Sequence, residues 1–392
     1  MFFGYTCDDF LTPTFMTAEV SEKQPYTGPE RRRHPRDRMT VEEHAFEIVD
    51  RRYNFTRPSD EEFKEAQFTG GEPVKKAVAV LFDRLEEKLD AQKVARLREA
   101  FDRGVDIWAQ AGLFTVGRER TGYVKPNFAR DYQPLLTQDD MDREEAGEGL
   151  NKGYKTPVFA PKDVPLHDEN AEKLSYFKLL KEALLKAFHG TAGGKQPNTL
   201  LIGPEKRVLT ANQVIELNAI LGRWERYLKP GVVHNTQSLD PKNHGGVSEQ
   251  ALLAGLTGNE KRTGGVMRLE RDKLIMPSDV GKEQMSALDW QAKLPSVLPE
   301  GASAQDVKQA IAHTIYCLET QGWIPDYYDY NSPETSRINL AIESFVPDEG
   351  SNGAVPALSW RVSNRRFFAD RSNADFQRSN SGVRAGVRKK GA

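Results

Sequence analysis

Residues 303–324 read SAQDVKQAIAHTIYCLETQGWI, and this stretch decides the fold class. Val307, Ile311, Ile315 and Leu318 recur at steps of four, four and three, which places them on one face of a helix. Ser303 is positioned to cap it, Asp306 to meet the positive end of its dipole, and Gly322 to close it. Cys317 lies beside the apolar stripe, where a thiol packs as a small hydrophobe. Strand-like runs follow at 338–346 and 357–363. A strong helix feeding short strands predicts an α+β chain.

Working outward, the same period marks a helix over 169–188 through Leu174, Phe177, Leu180, Leu184 and Phe188, stopped near Gly190. Residues 199–202 and 208–209 flank a Gly203-Pro204 turn. Thr210 and Gln213 form a capping-box signature for a helix through Leu228. A short helix is expected at 248–256 and a strand pair at 266–276. Between Pro73 and Gly112 there are two apolar series, Val74 to Leu89 and Val94 to Trp108. The five-residue step between them slips the helical phase at Asp90, a suitable N-cap. The expected organisation there is a helical hairpin, with one irregular long helix as the alternative.

These signals divide the chain into a flexible basic segment over 1–40, a helical region over 41–114, a Pro-rich connector over 115–165, a mixed helix–strand domain over 166–365 and a disordered basic tail over 366–392. Met16 opens a more ordinary start, so residues 1–15 read as an upstream extension.

Composition narrows the classes. The 38% apolar and 29% charged residues suggest polar segments between cores, and 19 Phe, 12 Tyr and five Trp are enough to build those cores. The net charge of −2 gives no global attraction to nucleic acid or membrane. It is unevenly spread: residues 361–392 hold nine Arg and Lys against two Asp, a local +7, so the rest carries −9. Two cysteines, Cys7 and Cys317, exclude a multi-bridge framework and a Cys-type zinc finger, and fit a reducing, cytoplasmic setting. No run of about 18 apolar residues occurs, so no membrane span is expected. No cofactor or resident metal is expected.

Five features bear on chemistry. The 190–195 stretch, Gly-Thr-Ala-Gly-Gly-Lys, lacks the first Gly and the final Ser or Thr of a phosphate loop and reads as a helix-terminating turn. His234, Asp240 and His244 share one loop and match the donor types of a facial metal or acid/base set. Trp323, Tyr327, Tyr328 and Tyr330 form an aromatic segment suited to a binding partner. The 303–321 helix with its later strands has winged-helix order, with Gln305, Lys308, Gln309, His313 and Gln321 outward. In the tail, Arg365, Arg366, Arg371, Arg378, Arg384, Arg388, Lys389 and Lys390 alternate with Phe367, Phe368 and Phe376, a pattern for phosphate neutralisation and base stacking.

No serine-hydrolase elbow, zinc-protease helix or dinucleotide fingerprint is present, which points away from an enzyme. The leading expectation is a non-enzymatic protein-binding or assembly protein using flexible charged tails. The alternatives are a nucleic-acid-binding accessory protein acting through the basic tail, and a metal-dependent or acid/base hydrolase centred on the 233–246 loop.

Overall fold

The computed structural model describes residues 73–114, 123–145, 149–167, 173–190, 198–210, 232–236, 238–240, 242, 244–347 and 353–390. Two compact units divide the chain at Leu85 and Glu86. The basic 1–40 segment and the helix expected through Leu228 lie outside the described residues.

Helix α1, Pro73–Gln110, is one continuous helix of 38 residues, not a hairpin. Residues 86–94 contain no Gly or Pro and are mostly good helix formers, so the phase slip does not break the chain. Asp90 is therefore internal, 3.8 Å from Lys93. Leu97, Phe101, Val105 and Trp108 are buried, and the Phe101 ring stacks on Tyr132 at 5.1 Å.

The expected connector over 115–165 is part of the fold. It holds α2, Gln138–Glu144, opened by a Thr137–Asp140 capping box, and β1, Tyr154–Pro161. Strand β1 edges a four-stranded antiparallel sheet in the order β1, β5 (Gly265–Arg271), β14 (Ala385–Lys389), β6 (Ala302–Ala304). An edge strand has one side with no ladder bonds to lose, so Pro157 and Pro161 are tolerated there. Only β5 forms where a strand pair is expected; Ile275 instead bridges Val383.

Helix α3, Tyr176–Phe188, begins at the Ser175 cap, and it packs on α7, Val307–Gln321. The cap of α7 is Asp306, in a reciprocal capping box with Gln309, while Ser303 pairs with Gly386 inside the sheet. Gln305, Lys308, Gln309 and His313 are all buried. This overturns the winged-helix arrangement, because of the five residues expected to face outward only Gln321, at the end of α7, is exposed.

Strands β2 (Thr199–Ile202) and β3 (Arg207–Thr210) form the expected hairpin, and β7 (Trp323–Ile324) runs parallel to β2. Gly203 has φ +71°, and a Cβ there would collide with the Tyr327 ring. A short ladder joins β4 (Val233–His234) to β10 (Ser344–Phe345). Ser248 caps α4, Glu249–Ala254, which precedes α5, Gly258–Thr263, and Ser286 caps α6, Ala287–Lys293. A five-stranded sheet has the order β12 (Arg366–Asn373), β11 (Ala354–Arg361), β9 (Ile338–Leu340), β13 (Ser381–Gly382), with β8 (Tyr327–Tyr328) also beside β11.

The expected disordered tail is thus folded: residues 366–389 supply β12, β13 and β14. Its positive charge is answered by acids from distant parts of the chain. Arg384 holds Asp326 at 2.7 Å, Arg388 grips Glu260 with two bonds of 2.6 and 2.5 Å, and Lys389 holds Asp140. Val383, Ala385 and Val387 are buried between these pairs. One core cluster runs from Leu97 to Val387, so the chain is α+β with its C-terminal strands inside the main sheets. Among the described residues, no helix is long and apolar enough to cross a membrane.

Candidate nucleic-acid interface

The β11–β12 hairpin alternates with period two. Trp360, Phe367 and Ala369 are buried on one face, and Ala357, Ser359 and Phe368 are buried on the other. The register sets Arg361 opposite Arg366, Ser359 opposite Phe368 and Ala357 opposite Asp370 on the other face, with Tyr328 of β8 beside Arg361. The loop after β12 is tied down by reciprocal 3.1 Å bonds between the backbones of Arg378 and Met285, which fixes Phe376 and Arg378 nearby.

Guanidinium groups and rings then interleave. Arg361 and Arg366 lie 4.2 and 4.7 Å from the Phe368 centroid, and Arg378 lies 4.7 Å from that of Phe376. Asp370 answers Arg361 at 3.1 Å. Burial, and then the Arg361 charge, push the Arg378 pKa down, while Tyr328 and Asp370 oppose that push. Arg361 and Arg378 each keep a buried Nε with no partner among the described residues. Phe376 is 54% exposed. Phe368 is buried under its two guanidiniums, so the face offers three half-buried arginines and one open ring, Phe376.

The tail residues singled out from the sequence divide in two. Arg366 and Arg378 belong to this face, and Arg365, with φ +56°, is exposed at the hairpin turn. Arg371 and Lys390 are exposed elsewhere. Arg384, Arg388 and Lys389 are committed to the ion pairs above. Arg361, Phe368 and Tyr328 complete the face, and the alternation of Arg361, Arg366 and Phe368 is the sequence signal that marks them.

The aromatic segment does not form one surface. Trp323 is buried and donates to Gln321, Tyr327 packs under Gly203, Tyr328 borders the arginine face, and Tyr330 is exposed. The loop triad is not assembled either. His234 is buried with Nδ1 at 3.0 Å from Ser344 Oγ, His244 stacks 5.3 Å from Phe345, and Asp240 accepts from the Lys242 backbone N. Among the described residues, no three His, Cys, Asp or Glu side chains converge to hold a metal ion. Residues 191–197, the rest of the phosphate-loop-like turn, lie outside the described residues.

Beneath β5 and α7 lies a polar network that sequence reading misses. Arg268 donates to Gln309 Oε1 at 2.9 Å and to the carbonyls of Ser303, Ala304 and Gly386, tying β5, β6, β14 and α7 together. Its Nε is 2.9 Å from Glu270 Oε1 but misaligned for a hydrogen bond, so that attraction is Coulombic. Burial raises the Glu270 pKa against Arg268 and Arg384. Burial, with Arg384 adding to it, holds His313 neutral. Comparison with known proteins finds no family model, curated protein or solved structure that matches the chain.

Proposed function

We propose that the protein binds single-stranded nucleic acid on the face formed by Arg361, Arg366, Phe368, Phe376 and Arg378. The observation that carries this reading is the grouping of three guanidiniums on two phenyl rings, buried Phe368 and exposed Phe376, with Asp370 paired to Arg361. Cations release counterions from phosphates, and rings stack on unpaired bases, so the combination favours single strands over a duplex. A cytoplasmic location goes with this reading. It replaces the tail-driven protein-binding expectation, whose C-terminal half is now folded, and it needs no catalytic group.

The test is fluorescence anisotropy of labelled oligo-dT and oligo-U at several salt concentrations. With about two phosphates neutralised, since Asp370 answers one guanidinium, the log–log slope on single strands is about −1.4. Phe376→Ala removes one stacked base and weakens binding about tenfold. Arg378→Gln flattens the slope by about 0.7. Lys390→Gln, away from the face, changes neither. Salt-independent binding, or equal binding by F376A, R378Q and the parent, rules the reading out.

A further inference from the structure

A cavity of about 230 Å³ lies where the end of β1, the start of α7 and α4 meet. Lys162, Asp306, Gln309, Arg388 of β14 and Asn235, which follows β4, are its polar lining. Val247, Leu252, Leu256 and Val266 line the remainder. The Lys162 and Asp306 side chains are 4% and 3% exposed, so buried charges border an open space. Most polar wall groups are already paired. Lys162 holds Asp306, and Arg388 holds Glu260 through Nε and Nη2. Gln309 Oε1 accepts from Arg268 and from the Asp306 backbone N.

Among the described residues, Gln309 Nε2, Arg388 Nη1 and two N–H bonds of Lys162 have no partner, beside the Asn235 amide, which can donate or accept. Burial works to raise the Asp306 pKa, but Lys162 and His234 outweigh it and keep the carboxyl well below its usual range. Asp306 is therefore an ionised acceptor, already bonded, and cannot donate to a ligand. Two cationic side chains with N–H bonds to spare, lining the same cavity as branched aliphatic side chains, suit a head group that accepts and a tail that is apolar.

We propose that this cavity binds a small aliphatic monocarboxylate, its carboxylate at Gln309 and Arg388 and its chain against Leu252 and Leu256. The volume is below that of the usual pocket for drug-sized ligands, which suits a chain of roughly four to six carbons. The site is separate from the arginine–phenylalanine face and does not rest on the nucleic-acid reading.

Isothermal titration of the full chain with 4-methylpentanoate tests it, with 4-methylpentan-1-ol as the uncharged comparison. Saturable binding of the acid is expected, with the alcohol about tenfold weaker, because a charged hydrogen bond is lost. Arg388→Met weakens the acid about tenfold, and Leu252→Trp, which fills the cavity, abolishes binding. Should circular dichroism show L252W to be unfolded, Ala251→Phe blocks the same cavity from an exposed position and carries the test. No saturable binding of the acid, equal affinity for acid and alcohol, or binding untouched by R388M and the blocking variant overturns the proposal.

Discussion

Replacing Arg384 by alanine puts the burial of the C-terminal strands to a quantitative test. Its guanidinium is 1% exposed and donates to Asp326 at 2.7 Å and to the carbonyls of Arg271, at 2.9 Å, and Asp272. Burial raises the Asp326 pKa in spite of Arg384, so desolvation outweighs the attraction in this pair. Removing the cation alone leaves a buried carboxylate uncompensated, at about 3–5 kcal/mol. Two carbonyls also lose donors, at about 1 kcal/mol each. Protonation of Asp326 relieves part of this, so the expected loss is about 4 kcal/mol. Urea unfolding followed by tryptophan fluorescence measures it, with Arg365→Ala at the exposed turn as a control changing stability by less than about 0.5 kcal/mol. The pair Arg384→Met and Asp326→Asn, which leaves no charge buried, recovers more than half of the loss. A loss under about 1 kcal/mol for R384A, or one equal to the control, would refute the burial of this strand.

The Asp131 carboxyl is lowered from 3.8 to about 2: burial opposes the shift, but hydrogen bonds from Arg130, Arg262 and the Asn127 backbone outweigh it. A lowered folded pKa stabilises the fold above about pH 4, and that stability is lost as pH falls toward 2. Asp131→Asn therefore costs about 1 kcal/mol at neutral pH after solvent screening, and its deficit disappears by pH 2; a deficit constant across that range contradicts the account. Gly386→Ala places a Cβ against the Glu270 carboxylate and 2.8 Å from the Arg268 guanidinium, both fixed in the core, and costs about 1–3 kcal/mol in the same urea assay. Burial raises the Cys317 pKa, so in a Cys7→Ser background the thiol resists DTNB until urea unfolds the chain; rapid labelling of the native protein sinks that view.

Local chemistry made several elements legible. The four-residue spacing of Val307, Ile311 and Ile315 marks α7, the Phe177, Leu180 and Leu184 stripe marks α3, and Gly203-Pro204 marks the β2–β3 turn. Each rests on contacts or dihedrals within a few residues, which the order of side chains already specifies. The interleaving of Arg366, Phe368, Phe376 and Arg378 was also legible, though as a loose tail and not as a sheet face.

Tertiary structure alone decided what those charges do. The partners of Arg384, Arg388 and Lys389 lie 58, 128 and 249 residues away, so a segment whose like charges repel one another locally is neutralised by acids no local window contains. The same holds for β1, whose prolines read as a connector until its place at a sheet edge spares the missing N–H groups. Sequence specifies periodic faces because side-chain direction is a local property. Which charge meets which, and which strand lies at an edge, depends on how distant segments close around one core.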